Sequence, residues 1–122
     1  MPLQFSRSWS DSDLEQYRDT VVRFIEQEMI PGDQAARERG DVGHAIWRKA
    51  GEIGLLCSDI PDEWGGGGGD FRYEAVFYEE MARCSLSGMN ASVHSIVAHY
   101  LLNHSTPEQK QRFLPRMAAS LD

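Results

Sequence analysis

The stretch GMNASVHSIVAHYLLN, residues 88–103, is the one around which we build the predicted fold. Drawn as a helix, it carries large apolar side chains in nearly all directions, which is typical of a helix buried at the centre of a domain. One narrow stripe of small or polar residues departs from this pattern, at spacings of 4, 3 and 4 residues: Gly88, Ser92, Ser95 and His99. The sequence therefore predicts a central buried helix with one unusual face.

Two interpretations of this stripe stay open at the level of residues. Small side chains allow another helix to approach closely, with His99 making an ordinary hydrogen bond. Alternatively, they leave space for a ligand and form the wall of a pocket. The residues alone favour packing, because grooves lined with small residues are usually filled by a neighbouring helix.

The chain before this stretch begins with a first helix. Ser12 and Glu15 fit a capping box, which predicts the start of the helix. Apolar residues then recur at spacings of 3 and 4 as far as Met29. Pro31 interrupts the pattern, since proline lacks the N–H that a helix interior needs. A short polar segment after it is compatible with a second helical piece.

Two further helices are predicted over about residues 42–54 and 72–85. In the latter, we expect Glu74, Glu79 and Glu80 to lie on the solvent face. The neighbouring glutamates 79 and 80 point about 100° apart on a helix. This pair therefore reads as part of a solvated face and not as an acid–base dyad.

The last helix has the clearest start signal. Thr106 as N-cap, Pro107 in the first turn and Gln109 three residues after the cap form a capping box with proline. Pro115 lies inside this helix and is expected to bend it. Because no alternating strand pattern appears, we predict an all-α fold, an orthogonal or up-down bundle of about five to six helices around a central buried helix.

Five consecutive glycines, residues 65–69, resemble a phosphate cradle. A P-loop, however, needs a Lys-Ser or Lys-Thr pair after its last glycine, and here Asp70 and Phe71 follow. The acidic residues Asp62, Glu63 and Asp70 would also repel phosphate. We therefore predict a turn in which glycines permit close backbone approach.

Composition excludes several other function classes. The 122 residues suit one domain, and 41% of them are hydrophobic. The net charge of -7, from 12 basic and 19 acidic residues, disfavours nucleic acid as a partner. No apolar run approaches the ~20 residues that cross a bilayer. With no secretory signal at the N-terminus and two isolated cysteines, Cys57 and Cys84, we expect a cytoplasmic protein with reduced thiols.

No active site or metal site can be assembled from the residues by spacing. His94, His99 and His104 follow one another at intervals of five, so a single helix cannot direct them to one ion. A nucleophile elbow of the Gly-x-Ser-x-Gly type is absent from the sequence. We therefore predict no catalytic residue and no metal ligand in this chain.

Six stretches, in order and with appropriate gaps, carry a resemblance to a known family. They cover nearly the whole chain: LEQYRDTV at 14–21, IWRKAGEIGLL at 46–56, IPDEWGG at 60–66, YEEMAR at 78–83, SVHS at 92–95 and TPEQKQRFLP at 106–115. Together they resemble the N-terminal helical domain of the acyl-CoA dehydrogenase family.

This resemblance implies a flavoprotein oxidoreductase that uses FAD to dehydrogenate acyl-CoA thioesters at the α,β-positions. It implies that residues 1–122 are the N-terminal domain alone, inactive by itself and without bound FAD, because the family's flavin-binding middle β-domain and its catalytic base in the C-terminal helical domain would follow. The expected partners are the acyl-CoA substrate, the remaining domains and further copies in a homo-oligomer. An alternative is a stand-alone, non-catalytic helical interaction or regulatory module derived from that fold.

The resemblance also implies that the residues 88–103 helix forms part of the acyl-chain pocket wall. This assigns a substrate-binding role to five residues: Met89, Ser92, Ser95, Ile96 and His99.

Overall fold

A computed structural model describes residues 8–86 and 88–120 of the chain. These residues form six α-helices: α1 (Ser12–Phe24), α2 (Asp33–Arg39), α3 (His44–Glu52), α4 (Phe71–Arg83), α5 (Ala91–His104) and α6 (Pro107–Ala119). A π-helical turn, Ile25–Met29, extends α1, and a 3-10 turn, Asp62–Trp64, precedes the glycine run. No strand occurs in the described ranges, so the predicted all-α class and helix number are confirmed. None of these helices has the length and apolar character needed to span a membrane.

The two predicted capping boxes have different outcomes. At α6 the Thr106 hydroxyl accepts from the Gln109 N–H and the Gln109 side chain accepts from the Thr106 N–H, as expected. At α1 the prediction is wrong by one residue, because Asp11 is the N-cap and its carboxylate accepts from the Leu14 N–H at 2.8 Å. A carboxylate also interacts favourably with the positive end of the helix dipole.

The hydrophobic core has two parts. The larger part joins α1 to α4, and its fully buried residues include Leu14, Val21 and Phe77. The smaller part joins α5 and α6 to the segment before the glycine run, through residues that are all buried: Cys57, Ile60, Ala98, Leu114 and Ala118. The α1–α4 pair and the α5–α6 pair therefore each pack through a narrow apolar face.

The expectation that the 88–103 helix is buried on all sides is wrong for the described residues. Only Ser95 and Ala98 of α5 are buried. Four of its large apolar residues are between 46% and 65% exposed: Val93, Ile96, Val97 and Tyr100. The helix packs against α6 and the smaller core through its Ala98 side, and the four side chains named above stay largely exposed.

The expected solvent face of α4 is also partly wrong, because Glu74 and Glu80 are buried. The guanidinium of Arg18 on α1 explains the second case. Its Nη1 lies 2.7 Å from Glu80 Oε1 and 2.8 Å from Glu79 Oε1. A buried carboxylate needs a charged or hydrogen-bonding partner, because transferring its charge out of water without one costs a large amount of free energy. The α1–α4 interface therefore contains an ionic cross-link beside its apolar core.

The glycine run folds back on the segment that precedes it. All five glycine N–H groups donate to main-chain carbonyls at 2.9 to 3.2 Å, and the acceptors are Asp62, Pro61, Cys57, Ile60 and Ser58 in the order of residues 65–69. No N–H in the run is left for a phosphate. The run is a turn, as the sequence predicts.

Close approach explains why glycine recurs here. A Cβ atom at Gly66 would lie 2.2 Å from the Ile60 carbonyl oxygen, and one at Gly67 would lie 2.9 Å from that of Ser58. Both obstacles are backbone atoms, which cannot rotate aside as a side chain can. A residue with any side chain would force these two backbone segments apart.

Replacing Arg18 with methionine should destabilise the fold strongly. The variant keeps most of the side-chain volume but removes the nearest cation from the carboxylate of Glu80, which is 3% exposed, and leaves only the exposed Arg83 at 3.5 Å. Breaking a buried ion pair from one side costs about 3–5 kcal/mol. Urea denaturation measures the change in the free energy of unfolding.

The matched control is Lys49→Met. Lys49 pairs with Glu28 at 3.0 Å, but their side chains are 52% and 31% exposed, and ion pairs near the surface contribute about 0–1 kcal/mol. Equal losses in the two variants would contradict a structural role for the Arg18 cross-link.

Substituting Gly66 with alanine should lower the free energy of unfolding by at least about 2 kcal/mol, since the added methyl group meets backbone. Gly32→Ala is the control, because a Cβ there has nothing within 4 Å. We expect that change to stay within about 1 kcal/mol. A Gly66→Ala variant as stable as the control would show that the loop does not depend on close approach.

Candidate functional site

A groove with a volume of about 530 Å³ lies between α4 and α5. Aromatic side chains of α4 form one wall, and successive turns of α5 form the other. The lining residues are Phe71, Tyr78, Ser92, Ser95, Ile96, His99, Tyr100, Asn103 and His104. A helix rises 1.5 Å per residue, so the α5 wall is about 18 Å long.

Four of the five residues predicted for the pocket wall line this groove: Ser92, Ser95, Ile96 and His99. The fifth, Met89, precedes α5 and belongs to the larger hydrophobic core, where it is 2% exposed. Helical spacing of 3 and 4 residues brings the four together on one face. The substrate-binding role of these residues stays a prediction.

His99 is held in the groove wall by an acid from outside α5. Its Nε2 atom lies 2.9 Å from Asp59 Oδ2. The Asp59 side chain is 5% exposed, whereas that of His99 is 37% exposed. A carboxylate oxygen accepts hydrogen bonds, so this geometry assigns the ring proton to Nε2. The second oxygen of Asp59, Oδ1, is buried and has no hydrogen-bond partner among the described residues.

A second buried acid lies next to Asp59. The Ser58 hydroxyl donates to Glu74 Oε1 at 2.8 Å, and burial raises the pKa of the Glu74 carboxyl above its ordinary value. Burial also raises the pKa of the phenols of Tyr17 and Tyr78. These hydroxyls therefore stay neutral near physiological pH. Polar groups from three parts of the chain thus lie close together behind the groove.

Sequence reasoning missed Ser58, Asp59 and Glu74 as neighbours of the site. One signal was available, because Ser58 and Asp59 interrupt the apolar run of residues 55–60. Polar residues inside a buried connection need hydrogen-bond partners. The identity of those partners depends on contacts 16 and 40 residues along the chain, which local patterns do not contain.

A second histidine of α5, His94, has a structural role. His94 Nε2 donates to the Met117 carbonyl of α6 at 3.1 Å, and its ring lies 5.4 Å from that of Trp47. Burial lowers the pKa of His94, which favours the neutral ring. Among the described residues, no group of three His, Cys, Asp or Glu side chains could hold a metal ion.

Comparisons with known proteins give a consistent result. The family model for the acyl-CoA dehydrogenase N-terminal domain matches residues 11–120. The mitochondrial long-chain specific acyl-CoA dehydrogenase of Rattus norvegicus is 39% identical over 104 residues, which cover 84% of this chain. The mitochondrial isovaleryl-CoA dehydrogenase of Solanum tuberosum is 29% identical over 113 residues, or 88% of this chain.

Superposition on solved structures shows that the similarity includes the fold. The crystal structure of acyl-CoA dehydrogenase from Geobacillus kaustophilus superposes with a TM-score of 0.87 at 28% identity, covering 93% of this chain and 30% of that one. An acyl-CoA dehydrogenase complexed with FAD from Bacillus anthracis superposes with a TM-score of 0.71 at 26% identity, covering 94% of this chain and 20% of that one.

The chain spans about a quarter of the length of its curated relatives, 24% of the rat protein and 27% of the potato protein. The matched region nevertheless includes all six helices and the groove between α4 and α5. The chain therefore belongs to the acyl-CoA dehydrogenase family, in which it corresponds to the N-terminal domain.

Proposed function

We propose that this chain is the first domain of a longer, FAD-dependent enzyme that dehydrogenates acyl-CoA thioesters, and that the α4–α5 groove supplies one wall of its acyl-chain pocket. Family membership supports the reaction class, and a relative of similar fold is complexed with FAD. The observation that carries the proposal is the groove itself, in which Ser92, Ser95, Ile96 and His99 lie together.

The shape and chemistry of the groove suit part of a hydrocarbon chain. Phe71, Ile96 and Tyr100 present apolar surface along it. Burying a methylene group against such surface contributes about 0.8 kcal/mol. An acyl chain seated there would gain binding energy at each carbon. The chain's part in the reaction is therefore to bind and orient the acyl group and to exclude water from it.

The glycine run does not fit the pyrophosphate of FAD. Its five N–H groups already donate to carbonyls of residues 57–62, and Asp62 and Asp70 flank it. We therefore assign the flavin site to the remainder of the protein and no step of the reaction to these glycines.

The remaining domains are the partners that the exposed face of this chain favours. Val93 and Val97 on α5 and Phe113 on α6 are large, apolar and exposed. Large apolar patches on a soluble chain are typical of surfaces that another domain or protein covers. The relatives named above are all longer dehydrogenases, and no observation on the described residues favours a stand-alone module.

The direct test is to purify the protein encoded by the whole reading frame and to compare it with residues 1–122. We expect the whole protein to bind flavin and to oxidise acyl-CoA substrates with an artificial electron acceptor, whereas residues 1–122 should be colourless and inactive. A whole protein without flavin and without activity on any acyl-CoA would contradict the proposed function. Stoichiometric flavin on residues 1–122 would contradict the placement of the flavin site.

The acyl groove is tested by Ile96→Trp in the whole protein. Ile96 is exposed in the groove wall, so tryptophan can fill the groove without disturbing either core. We expect kcat/KM for long saturated acyl-CoA substrates to fall by about tenfold or more, with short substrates little affected. Steady-state rates over a chain-length series measure this difference.

Ile53→Trp is the matched control. Ile53 is exposed to a similar degree but lies after α3, away from the groove. This variant should keep the chain-length profile of the parent protein. If Ile96→Trp lowers activity equally on short and long substrates, the groove is not the acyl site.

A further inference from the structure

We propose that the acyl groups accepted by this protein carry a hydrogen-bonding oxygen along the chain, and that His99, oriented by Asp59, recognises that oxygen. The inference rests on the proposed function, since it concerns the substrate class of the same groove. It assigns His99 as a specificity-determining residue and Asp59 as a positioning residue. A hydroxyl or keto group within the acyl chain is the chemistry that fits.

The first support is the fixed orientation of the His99 ring. The bond of 2.9 Å to Asp59 Oδ2 occupies Nε2 and leaves Nδ1 as the second hydrogen-bonding atom of the ring. No partner for Nδ1 is found within the described residues, and the side chain is only partly buried in the groove wall. A ring held by an acid on one side and open on the other is arranged to bind a polar group.

The second support is the free-energy cost of burying Asp59 behind the α5 wall of the groove. Its side chain is 5% exposed, and its Oδ1 atom has no hydrogen-bond partner in the described part of the chain. A buried acceptor that lacks a hydrogen bond destabilises the fold. A groove that held only hydrocarbon would need no such group, and an apolar pair would fill the space at lower cost. The polar pair is expected where ligand recognition uses it.

The third support is the division of the groove into two sides. Phe71 and Ile96 offer apolar surface, whereas Ser92, His99 and Asn103 follow one another along α5 as hydrogen-bonding groups. A plain alkyl chain would satisfy only the first side. A chain bearing an oxygen satisfies both, because its carbons meet the aromatic wall and its oxygen meets the polar row.

The test compares pairs of acyl-CoA substrates of equal chain length, one saturated and one bearing a hydroxyl group, with the hydroxyl placed at successive positions from the far end inward. A site built to bond a hydroxyl discriminates against the analogue that lacks it. Because His99 is half-exposed, we expect the hydroxylated member to be preferred by about tenfold or more in kcat/KM at the best position. The assay uses the whole flavin-loaded protein.

Two variants locate the preference. His99→Leu should bring the ratio of kcat/KM values within each pair close to one. Asp59→Asn preserves the shape of the side chain but offers a neutral amide, so it should lower the ratio partway. His44→Leu is the matched control, because His44 is an exposed histidine of α3 outside the groove, and its ratio should equal that of the parent protein.

The outcomes separate this inference from the proposed function. If the unaltered protein oxidises both members of every pair equally well, the inference is wrong and the proposed function stands. If His99→Leu lowers activity on both members by the same factor, His99 has only a structural role and the inference is wrong. If the protein oxidises no acyl-CoA at all, the proposed function itself fails. The parent ratio decides the first point even if a variant does not fold.

Discussion

The close contact between the backbone of residues 65–69 and that of residues 57–62 is the constraint on which the groove depends. Five main-chain hydrogen bonds hold these segments together, and the approach at Gly66 leaves no room for a Cβ atom. Ser58 and Asp59 are fixed in place by this contact. Ser58 then bonds to Glu74 on α4, and Asp59 bonds to His99 on α5. The turn thus sets the relation between the two walls of the groove without touching a ligand.

Some of the buried charged groups connect helices of the fold, and others lie beside the candidate site. Glu80 has a cation within 2.7 Å, in Arg18, and together they connect α1 to α4. Glu74 is hydrogen-bonded by uncharged groups of Ser58 and Tyr78, and burial raises its pKa. Its folded pKa lies above the unfolded value, so its ionisation costs stability as pH rises through the ordinary range for a glutamate. The Arg18–Glu80 pair therefore connects two helices, whereas the burial of Glu74 beside Asp59 does not add to stability once the carboxyl ionises.

Local patterns in the sequence predict those features that depend only on residues close together in the chain. The capping box at Thr106 and the helical stripe of α1 depend on residues within a few positions of one another, and both are confirmed. The burial of Glu80 was missed, because its partner Arg18 is 62 residues away. The same holds for His99 and Asp59, which are 40 residues apart. The small-residue stripe predicts either helix packing or a pocket wall. Its members Ser92, Ser95 and His99 line the groove, whereas Gly88 precedes α5 and lies beside Val42.

The exposure of the apolar faces of α5 could not be predicted from the sequence for a different reason. An apolar pattern predicts that a helix is buried, but it does not name the element that covers it. Only Ser95 and Ala98 of α5 are buried in the described residues, and the chain spans 24% of the rat relative. We attribute the uncovered apolar surface to the domains that we propose to follow this one. The same interpretation makes the α4–α5 groove one half of a pocket that those domains complete.

The most direct measurement is a crystal structure of the whole protein with a bound acyl-CoA. We expect acyl carbons between α4 and α5, within about 4 Å of the side chains of Ile96 and Tyr78. An acyl chain bound elsewhere, with this groove filled by side chains of another domain, would contradict it.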